Sequence, residues 1–257
     1  MEVTSTSYPS LKNNHVFITG GATGIGAAMV EAFAQQGCHV AYIDINREQG
    51  ESLATQIKQE HHVDVWFKSV DVTDISQLKN AIDEAVEHFG NVDCLINNAA
   101  NDARQPVNEV SASDWQNNMS VNLDPVFFAT QHVLQYMKLK SKGSVINFSS
   151  LNALHGAKNL TAYSTAKAGI LGLTKSLAAE VGEFNIRVNA VVPGWVATDK
   201  QLASWLTKEE EEKWMASVAL KKRISPAEVA KLVLFLASDD SAMITGQALH
   251  IDGGKHS

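Results

Sequence analysis

The sequence predicts an α/β protein, a three-layer doubly wound fold around a seven-stranded parallel sheet. Two observations lead there. Short apolar, β-branched runs alternate with longer segments of helical period, and that alternation implies parallel strands joined by right-handed crossovers. A glycine-rich turn stands directly after the first run and opens the first helix, as at the head of a nucleotide-binding sheet. The chain of 257 residues, 45% apolar and 19% charged, suits an ordinary globular protein. With no Pro/Gly/Ser linker, low-complexity tract or repeat, residues 1–257 read as a single domain, with substrate loops at about 101–112 and 195–220.

Taken in order, His15–Thr19 (HVFIT) reads as the first strand, and Gly24 to about Gln36 as the helix after the glycine turn. His39–Asp44 is the second strand and Arg47–Glu60 the second helix; Val63–Val72 contains the third strand. Across Ile75–Phe89, Leu78, Ile82, Ala85, Val86 and Phe89 recur at helical spacing. Val92–Asn97 is the fourth strand, and Asp114–Lys140 reads as one long helix. Ser144–Ser149 is the fifth strand, Ala162–Val181 a strong helix and Ile186–Val192 the sixth strand. Thr198–Ala219 reads as helical, with Lys208–Lys213 a solvated face. Ser225 caps a helix that starts at Pro226 and runs to about Ser238, and Ala248–Ile251 is the last strand.

Charge and cysteine usage exclude several function classes. A net charge of −7 gives no general pull toward nucleic acid or anionic lipid. Cys38 and Cys94 have no metal-type spacing and read as reduced, buried residues of an intracellular protein. The polar start, Met1 to Asn14, lacks the pattern of a signal peptide, and no apolar run is long enough to span a bilayer, so the cytoplasm is the expected compartment. No His/Cys/carboxylate cluster suggests a metal, and His15, His39, His61, His62, His88, His132, His250 and His256 read as structural or solvent-exposed.

The turn Thr19-Gly20-Gly21-Ala22-Thr23-Gly24-Ile25-Gly26 lets backbone N–H groups approach a pyrophosphate at a helix N-terminus. Asp44 ends the second strand, 18 positions after Gly26, where a dinucleotide fold places the acid that takes ribose hydroxyls. That carboxylate would repel a 2′-phosphate, and Thr23 stands where a basic residue would favour one, so NAD is expected over NADP. Arg47 reads as a surface residue at a helix start. Tyr163 and Lys167 are four residues apart on one helix face, and an adjacent ammonium lowers a phenol's pKa. Tyr163 is thus a candidate general acid/base.

These elements fall in a fixed order with Asn97-Asn98-Ala99-Ala100, Asn122, Ser150 and Pro193-Gly194. Asn122 to Ser150 is 28 positions and Ser150 to Tyr163 is 13. Over nearly its whole length the chain resembles the short-chain dehydrogenase/reductase family, whose fold is of the Rossmann type. The resemblance places the catalytic serine at Ser150 rather than Ser149. It implies that Tyr163 is the acid/base, that Lys167 binds the nicotinamide ribose and lowers the Tyr163 pKa, and that Asn122 holds a water in a proton relay. It implies a pyrophosphate cradle of Gly20, Thr23, Gly24, Ile25 and Gly26, and an adenosine side formed by Asp71, Val72, Asn98 and Ala99. Pro193, Gly194, Val196 and Thr198 would hold the nicotinamide carboxamide. Ala100 departs from the family's usual glycine.

The stretches Asn97–Arg104 and Gly194–Thr207 resemble those of sugar 1-dehydrogenases, which oxidise aldoses such as xylose, galactose, arabinose or fucose to lactones. Asn101, Asn152, Trp195 and Gln201 are the candidate sugar contacts beside Ser150 and Tyr163, and His155 lies nearby in sequence. Asp102 and Arg104 read as a salt bridge shaping their loop. The other readings are a carbonyl reductase of the 3-oxoacyl or hydroxysteroid type and, more remotely, a non-catalytic dinucleotide-binding protein. Apolar residues spread around the Asp114–Lys140 and Ala162–Val181 segments, and with the family resemblance they imply a homotetramer.

Overall fold

The computed structural model describes residues 6–204 and 207–255. Trp205 and Leu206 of the sugar-dehydrogenase-like stretch, and His256, lie outside the described residues. Seven parallel strands form one sheet: β1 (His15–Thr19), β2 (His39–Asp44), β3 (Val65–Ser69), β4 (Cys94–Asn97), β5 (Gly143–Phe148), β6 (Ile186–Pro193) and β7 (Ala248–Ile251). Their order is β3-β2-β1-β4-β5-β6-β7. The chain winds outward from β1 to β3 and then returns to place β4 on the other side of β1. That reversal opens a crevice beyond the carboxyl ends of β1 and β4, where folds of this kind bind ligands.

Alternate side chains of a strand point to opposite faces, so each strand serves two cores. Val16, Ile18, Val40 and Tyr42 pack with Met29 and Phe33 of α1 (Gly24–Gln35) and Val233 of α10 (Pro226–Ala237). Phe17, Ala41, Ile43 and Leu95 face Leu78 and Ile82 of α3 (Ile75–Phe89), Val133 of α5 (Asp124–Lys140) and Leu177 of α7 (Thr161–Val181). The remaining helices are α2 (Arg47–His61), α4 (Ala112–Asn122), α6 (Asn152–His155), α8 (Asp199–Ser204) and α9 (Lys208–Ser217). Among the described residues, no helix is long and apolar enough to cross a membrane.

Two expected helices are each divided. The segment read as Asp114–Lys140 is α4 followed by α5, broken at Leu123 with φ −127° and ψ −51°. Pro125 lacks an N–H to continue the ladder, and the Asn122 amide donates to the Asn118 carbonyl and to the distant Asn101 carbonyl. Likewise Thr198–Ala219 contains α8 and then α9, whose start is fixed by a capping box between Thr207 and Glu210. The short helix α6 was not anticipated.

A fully buried polar relay ties the carboxyl ends of the central strands to two helices. Asn97 on β4 donates to Oδ1 of Asn147 on β5 at 2.9 Å and to Oγ1 of Thr130 on α5 at 3.1 Å. Asn147 in turn donates to Oγ1 of Thr174 on α7 at 3.0 Å. Each bond forms away from water, where losing a partner is costly, so the register of β4 against β5 is fixed just before the site loops begin.

Candidate active site

The glycine turn is built for close backbone approach. Gly20 and Gly24 hold φ of +69° and +55°, which L side chains rarely adopt. A Cβ on Gly26 would stand 1.8 Å from the Gly20 carbonyl oxygen, and one on Gly20 2.8 Å from Cα of Ala99. The start of α1 carries neither an acidic residue nor a side-chain cap, since Thr23 makes no capping bond. Its N–H groups and dipole thus suit a pyrophosphate. Asn98 steadies the turn from below, donating through Nδ2 to the Thr19 and Gly20 carbonyls. This places Asn98 under the turn, on the side where the family resemblance sets the adenosine.

Asp44 braces the same turn. Its Oδ2 accepts from the Ala22 N–H and its Oδ1 from the Asn46 N–H, each at 3.0 Å. Each carboxylate oxygen keeps a second lone pair suited to a ribose hydroxyl. Asp71 accepts from the Thr73 amide and hydroxyl in the turn after β3, and Val72 beside it is buried.

A cavity of about 610 Å³ opens beyond the carboxyl ends of the strands. It gathers Ser150, Tyr163 and Lys167 with Ile25, Asn98, Asn152, Pro193, Gly194, Trp195, Val196, Thr198 and Gln201 from the sequence-derived candidates. Two hydrogen bonds fasten α7 to the end of β5: Ser149 Oγ donates to the Lys167 carbonyl at 2.7 Å, and Lys167 Nζ donates to the Phe148 carbonyl at 2.8 Å. Both serines line the cavity, but Ser149 is buried with its hydroxyl given to the Lys167 carbonyl, whereas the Ser150 Oγ accepts from the Asn152 N–H.

The electrostatics differ from the sequence expectation. Loss of water around the phenol pushes the Tyr163 pKa up to about 12, against a lowering by its bond to Ser150 and with a further rise from the Asp102 charge. Burial brings Lys167 down to about 8. Its Nζ lies 5.7 Å from the Tyr163 ring centroid and bonds the Phe148 carbonyl, so desolvation outweighs its effect on the phenol. In this state the phenol holds its proton and the lysine gives its proton up more readily than an exposed one.

Two candidate sugar contacts sit differently from their sequence reading. Asn101 is exposed and lines a separate recess of about 220 Å³ behind Tyr163, together with Asn122, not the main cavity. The Asn122 amide exchanges hydrogen bonds with the Asn101 backbone in both directions. Gln201 lines the cavity with its amide already engaged: Oε1 accepts from Trp195 Nε1 and Nε2 donates to Asp102 Oδ2, each at 3.0 Å. Asp102 and Arg104, read as loop-shaping residues, line the cavity themselves. His155 is exposed and outside its lining.

Sequence reasoning missed Trp214 of α9, which lines the cavity and meets Trp195 edge-to-face at 6.1 Å. A lone large aromatic in the charged stretch KEEEEKWMAS was the available signal. Ala100, which stands in place of the family's usual glycine, is exposed at the cavity wall. Away from the cavity, Glu31, Glu60 and His61 bring ligand-type atoms within 4.8 Å of one another. The sequence reading found no such cluster because α1 and α2 supply it jointly.

A family profile described as enoyl-(acyl carrier protein) reductase matches residues 20–256. A protein named "Probable galactose dehydrogenase" from Rhizobium meliloti (strain 1021) is 43% identical over 254 residues, covering 99% of each chain. A D-xylose 1-dehydrogenase from Caulobacter vibrioides is 42% identical, covering 98% of this chain and 99% of its own. The crystal structure of a levodione reductase superposes with a TM-score of 0.88 at 29% identity, covering 94% of this chain and 97% of that one.

Proposed function

The chain belongs to the short-chain dehydrogenase/reductase family of oxidoreductases, and from that premise we propose that it is an NAD-dependent aldose 1-dehydrogenase that oxidises the anomeric hydroxyl of a pyranose to a lactone. The observation that carries the proposal is the cavity in which Ser150, Tyr163 and Lys167 meet the glycine-turn side of the sheet beneath a polar, tryptophan-bearing wall. Full-length similarity to two sugar dehydrogenases supports the substrate class. Asp44, at the end of β2 and beside the turn, supports NAD over NADP through repulsion of a 2′-phosphate.

A nicotinamide cofactor held between the glycine turn and the cavity would supply the hydride acceptor for C1. Ser150 donates to the anomeric oxygen and orients it, and Tyr163 removes its proton, with Lys167 relaying that proton onward from beneath. Because burial leaves Tyr163 protonated, the base must be generated, and a lysine brought down to about 8 is suited to carry a proton away. Asn152, Trp195 and the Trp195–Gln201–Asp102 chain line the side where the remaining hydroxyls lie. Asn122 acts on the far side of Tyr163 by holding the Asn101 loop, next to a recess wide enough for the relay's water. The assembly that fits this chain is a two-fold symmetric homotetramer, and its two buried reduced cysteines support a cytoplasmic setting.

The test is NADH absorbance on mixing the protein with NAD and D-xylose, D-galactose, L-arabinose or L-fucose, beside parallel mixtures with NADP. Reduction of NAD by at least one aldose supports the reading. Turnover of a 3-oxoacyl thioester or a steroid with no aldose oxidised overturns it in favour of a carbonyl reductase.

A further inference from the structure

Asp102 shares the main cavity with Ser150 and Tyr163. It follows β4 in a loop, while Trp195 and Gln201 come from the segment after β6. The Gln201 amide joins the two: Trp195 Nε1 donates to its oxygen and its nitrogen donates to Asp102 Oδ2, both at 3.0 Å. The Gln201 backbone N–H is held in turn by Thr198 Oγ1 at 3.3 Å. An amide with its acceptor and a donor so engaged organises the wall and holds one oxygen of the Asp102 carboxylate, which lines the cavity. A carboxylate offers about four acceptor sites, so a bond from Gln201 is compatible with another from a substrate hydroxyl.

We propose that Asp102 selects substrates bearing a free hydroxyl on the carbon next to the reacting one, accepting a hydrogen bond from it while Trp195 and Gln201 hold the carboxylate in position. The inference rests on the aldose reading, which supplies vicinal hydroxyls. Asp102 lies within electrostatic reach of the Tyr163 oxygen, since its charge is one of the causes that raise the phenol. Asp102 also lines the same cavity as Tyr163 and Ser150, so a hydroxyl beside the one they bind faces a wall that Asp102 helps to form. An ionised carboxylate only accepts, so it welcomes O–H and disfavours a deoxy carbon, an ether or an anion at that place.

The charge has a second effect. Tyr163 is faced by Lys167 on its own helix and by the charge of Asp102 from the loop after β4, and Arg104, Glu210, Lys213 and Lys255 line the same cavity. Asp102 alone among them is a charged group raising the phenol.

The test compares kcat/KM for D-galactose and D-xylose with that for their 2-deoxy analogues, in the parent enzyme and in Asp102→Asn. The asparagine keeps the size and the acceptor for Gln201 and removes the charge. The parent is expected to favour the 2-hydroxy sugars by about 10–100-fold, as for a hydrogen bond to a charged group. In Asp102→Asn that ratio falls by about tenfold, and the acid limb of the kcat/KM profile moves to lower pH. A variant that loses activity equally on both sugars of a pair, with its pH limb unmoved, overturns the role of Asp102 while leaving the aldose reading standing. A parent enzyme that oxidises neither sugar nor any other aldose overturns both.

Discussion

Tyr163 and Lys167 stand one helical turn apart, yet burial drives their proton affinities in opposite directions, up to about 12 and down to about 8. Tyr163→Phe keeps the ring and removes the exchanging oxygen, so turnover is expected to fall by about 10²–10⁴-fold while NADH fluorescence still reports binding. Near-parental turnover would remove Tyr163 from the chemistry. Lys167 makes a prediction about stability. Its folded value near 8 lies below the ordinary 10.5, so between those values the folded protein binds fewer protons than the unfolded chain. Stability therefore rises with pH across that window, and the destabilisation is fully present below about 8. Lys167→Met is expected to be more stable than the parent at neutral pH by roughly 1–3 kcal/mol, with the difference closing as pH rises. A melting midpoint below the parent's at neutral pH would contradict this. The tyrosine–lysine pair was visible in its spacing, and Ser150 was marked as a candidate by the family resemblance. The direction of the phenol's shift was not, because desolvation depends on what closes over it.

Among the elements, the glycine turn shows how a local pattern and a distant residue combine. The spacing of Gly20, Gly24 and Gly26 was visible in the sequence, but the bond from Ala22 to Asp44 Oδ2 joins residues 22 positions apart. Asp44→Ala should raise the NADP-to-NAD efficiency ratio by about tenfold or more, through loss of like-charge repulsion. A ratio unchanged in steady-state kinetics would show that cofactor choice lies elsewhere. Helix limits were legible where a cap or a strong stripe marked them, as at Ser225 and along α3. The break between α4 and α5 was hidden because apolar residues continue on both sides of Leu123. Its cause lies partly in the side chain of Asn122, which reaches across to the Asn101 backbone. The same contact sets Asn101 in the recess beside Asn122, while Asp102 lines the main cavity.

At the scale of the whole molecule, apolar surface is exposed on α5 and open space lies beside α7. Phe127 on α5 is 37% exposed, and a side chain at Gly172 on α7 would meet nothing within 4 Å. β7 closes the sheet as an edge with Ala248 and His250 exposed. Light scattering is expected to give four times the chain mass, and Phe127→Asp to lower it; a monomer at micromolar concentration would refute the assembly. The relay of Asn97, Asn147, Thr130 and Thr174 bears on how this protein can change. It anchors the strand ends from the interior, with no member in the main cavity. The foundation under the reacting groups is thereby insulated from the loops that choose the sugar. Those loops are replaceable parts: exchanging 101–105 and 195–220 for a relative's should transplant its taste in sugars and spare the chemistry, whereas cutting a single amide from the relay should blur turnover for every sugar alike.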